Sequence, residues 1–479
     1  MPKKLKIAFI QQLCGEMMGV MHLSSVLKAR GHETILFVEG MERNLVKSVL
    51  DYAPDIIGFH TFTGQHIWAL NRIRALKQAT GALVVVGGPH ATYMPDIIKR
   101  PGIDAVIRGE ADYIMADFCD AVSARDDYYH IPGAWVKKPN GEIIENPRAK
   151  YVQNLDELPF PDRELPYRYK TLRTRGNKTF IGKRGCAYPC TFCHNHLAMR
   201  YYDDSGNWVR KMSPERLIDE MIYVRDSFPP LRILSLENDD DILNVPQWAE
   251  KLFTLYGEKI GLPYYIMTRP DKINENMVRL LKDTGCVGVS ISVETANERL
   301  RNEVLKKKYS TESFVLAMEL LNRYRISTKV FNTVGIPGET LEDAFETLRL
   351  NISVKPTWAR CSIMQPYPPS DLYVQCLKDG LFVDGFDVDR FDPFYLTSSV
   401  LNIPDIDRMV NLQKFFSLVV RFPFLYAPVK RLIEAKPNAL FNAVGMMSYG
   451  IFGALFERLT LGEFIKFSWS SLSMMRRGE

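Results

Sequence analysis

The chain has 479 residues, 46% of them hydrophobic and 24% charged, with a formal net charge of +5. That length leaves room for about two to four domains, and the balance is that of a globular protein with apolar material for several cores. The charge is too small and too evenly spread to imply nucleic acid as a partner. Five of the eight cysteines, Cys14, Cys119, Cys286, Cys361 and Cys376, are scattered, while Cys186, Cys190 and Cys193 are clustered. In so long a chain this predicts a reducing, cytoplasmic compartment and one metal site rather than a disulfide framework. The basic start, Lys3-Lys4, runs straight into a short strand pattern and lacks the long apolar core of a secretory signal.

Residues 1–145 alternate short apolar runs with helical patterns. Strands are expected over 7–10, 34–38, 56–59, 83–86 and 105–107, and a helix over 22–30 that Gly31 stops. Such alternation predicts an α/β fold, here a doubly wound Rossmann-like parallel sheet with helices on both faces. In that architecture ligands sit at the carboxyl ends of strands. Thr61, Thr63, the run Gly87-Gly88-Pro89-His90 and the pair Gly109-Glu110 stand there.

Residues 146–172, with Pro159, Pro161 and Pro166 among acidic residues, read as a linker. Over 173–375 the alternation resumes. Strands are expected over 179–181, 233–236, 264–267, 287–293, 328–333 and 360–364, with helices such as 276–283 and 340–352 between them. Six β/α units predict a partial (β/α)6 barrel, open on one side, with chemistry at the strand ends. Residues 376–479 read as a helical C-terminal region, and 401–479 carries ten Lys and Arg against six Asp and Glu, a net of +4. Residues 439–456 hold no charge, yet Asn442, Ser448 and three glycines make them a poor membrane span. A buried core helix is expected, with a helix in a membrane surface or along an apolar substrate cavity as the alternative.

The motif that carries chemistry is Arg184-Gly185-Cys186-Ala187-Tyr188-Pro189-Cys190-Thr191-Phe192-Cys193, a C-x3-C-x2-C triplet just after a strand. Thiolates hold iron–sulfur clusters, and three on one loop would bind three irons of a cubane and leave the fourth open to an amine and a carboxylate. Zinc is the alternative, with His194 or His196 as fourth ligand, but structural zinc commonly takes two ligand pairs and no second pair is present.

With the aromatic Phe192 directly before the last cysteine, residues 175–375 resemble the radical S-adenosylmethionine (SAM) superfamily. The resemblance implies that Cys186, Cys190 and Cys193 ligate a 4Fe–4S cluster whose open iron binds SAM. It further implies reductive cleavage to a 5′-deoxyadenosyl radical, with a flavodoxin or ferredoxin type electron donor. Glu237-Asn238-Asp239-Asp240 stands where the family contacts the methionyl amino group, without the usual glycines. Ser292-Val293-Glu294-Thr295 resembles the strand-end motif near the ribose and the methionyl carboxylate. Gly335-Ile336-Pro337-Gly338-Glu339-Thr340 matches the turn near the adenine, and Thr268-Arg269 would offer the carboxylate a cation.

The N-terminal region resembles the cobalamin-binding domain of one subclass, which includes the anaerobic magnesium-protoporphyrin ester cyclase and hopanoid methylases. The matching residues are Glu16-Met17-Met18-Gly19, residues 54–59, Gly87-Gly88-Pro89-His90-Ala91-Thr92 and Gly109-Glu110. Gly87 and Gly88 would let backbone approach the nucleotide tail, and Thr61 and Thr63 would hydrogen-bond it. Histidine-ligated cobalamin proteins carry D-x-H-x-x-G after the first strand. Residues 12–19 hold no histidine, so cobalamin is expected without a histidine axial ligand.

The resemblance implies an enzyme: a cobalamin-dependent radical methyltransferase acting on an unactivated carbon of a small, lipophilic substrate. The alternatives are an oxidative cyclase, a carbon–carbon or carbon–sulfur bond-forming enzyme without functional cobalamin, and a non-enzymatic metal or cobalamin carrier. No catalytic acid or base is assigned, because radical abstraction depends on positioning. The basic, apolar C-terminal region adds an expected peripheral membrane contact.

Overall fold

The computed structural model describes residues 3–202, 206–237, 241–392, 395–460 and 462–464. Two sheets organise them. The first takes β1 (Lys6–Gln11), β2 (Glu33–Val38), β3 (Ile56–His60), β4 (Leu83–Gly87), β5 (Ala105–Ile107), β6 (Ala134–Lys137) and β7 (Ile143–Glu145) in the order β2-β1-β3-β4-β5-β6-β7. The first five strands are parallel. Alternation decides what each face buries. Ile7 and Phe9 of β1 join a core with the helices Met18–Ala29 and Asp112–Ala124. Ala8 and Ile10 join another with the helices Leu45–Tyr52 and His66–Ala79. The order turns around at β1 and β3, which is where a doubly wound sheet opens a ligand crevice.

The sheet is not parallel throughout, as the sequence predicts. β6 runs antiparallel to β5, and β7 antiparallel to β6. The physical reason is local: Asn140-Gly141 folds β6 back on β7, with Gly141 at φ +87°. Both strands are short, and their alternation is too brief to stand out.

The second sheet is the half-barrel. It follows the order β15-β14-β13-β12-β11-β8, all parallel, from β8 (Asn177–Thr179), β11 (Ile233–Leu236), β12 (Tyr264–Met267), β13 (Cys286–Glu294), β14 (Ser327–Val334) and β15 (Trp358–Ile363). A ribbon of β9 (Lys183–Arg184) and β10 (Arg210–Lys211) lies beside it. The first barrel strand falls two residues earlier than expected, because Asn177 to Thr179 pair with β11 while Phe180 turns into the core.

The C-terminal helices close what the strands leave open. The helix Ile406–Arg421 packs its Met409, Leu412 and Phe416 on β15 and the helix Leu341–Val354. The uncharged helix Ala439–Phe456 lies under the strand starts: the Tyr265 hydroxyl donates to the Phe456 carbonyl (2.8 Å), and Trp358 packs against Tyr449. It is not the buried core helix expected. Only 22% of it is buried, with Phe441, Ser448, Phe452 and Phe456 inward and Leu440, Met447, Ile451 and Leu455 exposed. Its length and composition would also allow it to cross a membrane.

Arg184 ties the β9–β10 ribbon to the end of the first sheet. From β9 it grips Asp112 with both terminal nitrogens (2.6 and 3.0 Å) and reaches Glu110 (3.1 Å). Burial alone would raise the Asp112 carboxyl, but the guanidinium beside it prevails and holds it below the usual range. Arg210 of β10 takes the other side of Glu110. Removing one partner of a buried pair strands the other charge. Arg184→Met is therefore expected to cost about 3–5 kcal/mol in urea unfolding; an unchanged midpoint would show that the clamp does not hold the ribbon to the sheet.

Candidate functional site

Two cavities meet at the carboxyl ends of both sheets. The first, about 440 Å³, lies between the sheet face of β1, β3, β4 and β5 and the helices Met18–Ala29 and Asp112–Ala124. The second, about 800 Å³, lies over the half-barrel. Pro89, Tyr93, His194 and Asn195 line both, so a single layer of side chains separates them.

Gly19, Gly87, Gly88, Gly109 and Glu110 line the first cavity, together with Phe9 and Met115. The glycines serve different ends. A Cβ on Gly19 would meet nothing, and one on Gly87 only the Ile107 carbonyl at 3.8 Å, so both leave open space. Gly88, at φ +95°, lies against the Thr61 backbone, and Gly109, at φ +84°, against the Tyr202 hydroxyl. The Tyr202 hydroxyl also accepts the Glu110 N–H (2.6 Å). An elongated, mainly apolar slot with a glycine floor fits the heterocyclic tail of a nucleotide-bearing cofactor.

Other expected tail residues stand elsewhere. Glu16 and Met17 line neither cavity; Glu16 accepts the Thr179 N–H (2.7 Å) and the Tyr167 hydroxyl, beside the buried Arg163. Thr61 is buried and donates to the Gly87 carbonyl (3.0 Å). Thr63 lines the second cavity and bonds the His90 Nδ1 (2.9 Å), while His90 stacks on His66.

Sequence reasoning missed two imidazoles. His22 and His60 line the first cavity although residues 12–19 have no histidine. Burial pushes them down to about 3 and about 4, helped by Arg184 at His22 and by His194 at His60, so both stay neutral. His22 lies one helical turn past Gly19, a spacing that would have placed it on the same face.

Cys186, Cys190 and Cys193 all line the second cavity, with Phe192. None of the eight cysteines is in a disulfide. Among the described residues, no three His, Cys, Asp or Glu side chains converge to hold a single metal ion. A cubane asks for less convergence, since each thiolate takes its own iron. His196, the alternative zinc ligand, faces Asp371 at 3.3 Å instead.

Arg269, Ser292 and Glu294 line the same cavity as the cysteines. Glu294 holds a strained φ of +60°, pairs with Lys307 (3.0 Å) and accepts the Thr333 hydroxyl (2.9 Å). Burial would lower Lys307, but Glu294 beside it raises it, so the ammonium stays charged. Arg269 is held by Asp271 (2.8 Å) and lies on the Tyr188 ring. Glu237 lines neither cavity: it pairs with Lys329 (2.7 Å) inside the barrel, and Asn238, Asp239 and Asp240 lie outside the described residues. Gly335, Pro337 and Gly338 also stand back from both cavities. Their turn is closed by Glu339, whose carboxyl accepts the N–H groups of Gly335 (2.6 Å) and Ile336 (3.1 Å). Burial outweighs those bonds and pushes Glu339 up to about 8.

Residues 181–350 match the radical SAM superfamily, and residues 12–118 match the B12 binding domain. The chain is 25% identical over 392 residues to an uncharacterized methyltransferase of Pyrococcus horikoshii, covering 80% of this chain and 83% of that one. It is 26% identical over 430 residues to the anaerobic magnesium-protoporphyrin IX monomethyl ester cyclase of Rubrivivax gelatinosus, covering 85% and 75%. Its fold is similar to that of the cobalamin-dependent S-adenosylmethionine radical enzyme OxsB, solved with aqua-cobalamin and S-adenosylmethionine bound. The TM-score is 0.68 at 15% identity, over 99% of this chain and 80% of that one. The two matched domains imply a 4Fe–4S cluster, SAM and cobalamin as cofactors.

Alanine at Cys186, Cys190 or Cys193 is expected to cut iron from about four per chain to below about one after anaerobic reconstitution. Alanine at the buried Cys119 should leave iron unchanged. A triplet variant that keeps full iron would remove that residue from the ligand set.

Proposed function

From a chain that is a radical S-adenosylmethionine enzyme carrying a B12-binding domain, we propose methyl transfer to an unactivated carbon of a small, largely apolar substrate. One observation carries this reading: the slot suited to the cobalamin tail and the cavity lined by the cysteine triplet share a wall one side chain thick. When bound, the cluster with SAM supplies a hydrogen-abstracting radical and the cobalamin supplies a methyl group.

The protein's own contribution is positioning. Cys186, Cys190 and Cys193 would hold the cluster, and Phe192 would pack beside it. Ser292 and Glu294 would meet SAM, with Lys307 keeping the Glu294 carboxylate in place. Gly19, Gly87 and Gly88 would make room for the cobalamin tail, and the imidazoles of His22 and His60 line the same slot. Met267, Phe331, Met364 and Tyr367 give the second cavity apolar walls that keep water from the radical. The cyclase among the relatives keeps ring closure as the second reading.

Anaerobic preparations from cobalamin-fed cells are expected to hold about four irons and one cobalt per chain. Gly87→Leu, which fills the slot, should lower cobalt at least about tenfold and leave iron intact. Iron without cobalt in the unsubstituted protein would sink the methyltransferase reading.

Peripheral membrane contact is part of the proposal. The exposed Leu440, Met447, Ile451 and Leu455 lie on one helix of a region with net positive charge. Liposomes rich in anionic lipid should float the protein, and Leu440→Glu with Met447→Glu should leave it at the bottom. Equal flotation of both would refute the contact.

A further inference from the structure

We infer that the substrate carries an acidic group and that Arg360 is the side chain that receives it. The inference rests on the second cavity being the reaction chamber.

Three side-chain cations line that cavity, Arg269, Lys307 and Arg360. Two are already matched: Arg269 with Asp271 at 2.8 Å and Lys307 with Glu294 at 3.0 Å. Arg360 has no carboxylate within ion-pair reach among the described residues. Its one hydrogen bond runs from Nη2 to the Tyr395 hydroxyl (2.9 Å), and its buried Nε has no partner. Glu237, whose charge reaches Arg360, is itself held by Lys329 at 2.7 Å.

Position supports the same assignment. Arg360 pairs with Phe331 across β14 and β15, and Phe331 pairs with Ser292 across β13. All three therefore lie at one level of the barrel and line the same cavity. The guanidinium is framed by the rings of Phe331, Tyr395 and Tyr449, at 5.2, 5.6 and 5.2 Å. Ring faces hold the cation in place but leave the in-plane Nε–H unanswered, while Nη2 meets the Tyr395 hydroxyl. A planar fork with an unanswered donor is suited to a carboxylate, which it can take with two parallel bonds. The substrate class is thus an apolar body bearing a carboxylate.

Binding of 2-naphthoate and 2-naphthamide to cluster- and SAM-loaded enzyme tests this, by calorimetry. The two probes share their rings and differ in charge. The acid should bind at least about tenfold tighter than the amide. Arg360→Gln should erase the preference while iron content and SAM affinity stay unchanged, and Arg360→Lys should restore part of it. Equal binding of both probes, no binding of the acid, or a preference that survives in Arg360→Gln would overturn the inference. So would loss of SAM affinity in Arg360→Gln, which would make Arg360 a ligand of SAM. If Arg360→Gln does not fold, the acid–amide comparison in the unsubstituted enzyme still decides. No methyl transfer is read, so failure of the proposed reaction would show separately, as a missing methylated product.

Discussion

The structure depends on one buried cluster of charges, in which Arg184 meets Asp112 and Glu110 and Arg210 meets Glu110. Asp112 and Glu110 follow the short strand β5, and a helix begins at Asp112. Left alone, two carboxylates in that position would face a desolvation penalty of several kcal/mol each. Arg184 answers both, and it stands two residues before Cys186. The contact that satisfies the N-terminal sheet's buried charge therefore also fixes the start of the cysteine loop. Through it the two cavities are held edge to edge, and Arg163, bonded to Glu220 (2.8 Å) and to the Thr179 carbonyl (2.8 Å), repeats the device at the linker.

The parts of the fold that were legible in the sequence are those whose signal is local. Except for β8, whose residues are Asn-Lys-Thr, the parallel strands are short apolar runs between turns, and the cysteine triplet is contiguous, so both can be read without knowing what lies opposite. The hairpin of β6 and β7 was lost because its strands span four and three residues. The helix Ala439–Phe456 misled because absence of charge does not say how many of a helix's faces are covered.

Residues whose partners are distant in sequence were harder. Glu16 stands in the expected glycine-containing segment, yet its carboxylate serves Thr179, 163 positions away. The run Gly335 to Thr340 is legible as a turn, but its glutamate works on the turn's own backbone. Arg360 was accessible in principle. Alternation along β15 buries Ala359, Cys361 and Ile363 in the outer core and leaves Arg360 and Ser362 toward the cavity. What alternation could not reveal is that, among the described residues, no carboxylate pairs with Arg360.

The second cavity and the packing beneath the barrel come from separate stretches of chain. The cysteine-bearing rim of that cavity is built by residues that follow β9, whereas Tyr449, Phe452 and Phe456 pack on Tyr265 and Trp358 beneath the barrel and do not line it. These contacts are aromatic and lie at the strand starts, away from the cysteine loop. A different C-terminal segment could be fitted beneath the same strands without disturbing the residues around the triplet. Such an architecture separates the seal beneath the barrel from the loop that carries the triplet, so that either can change in sequence without repacking the other.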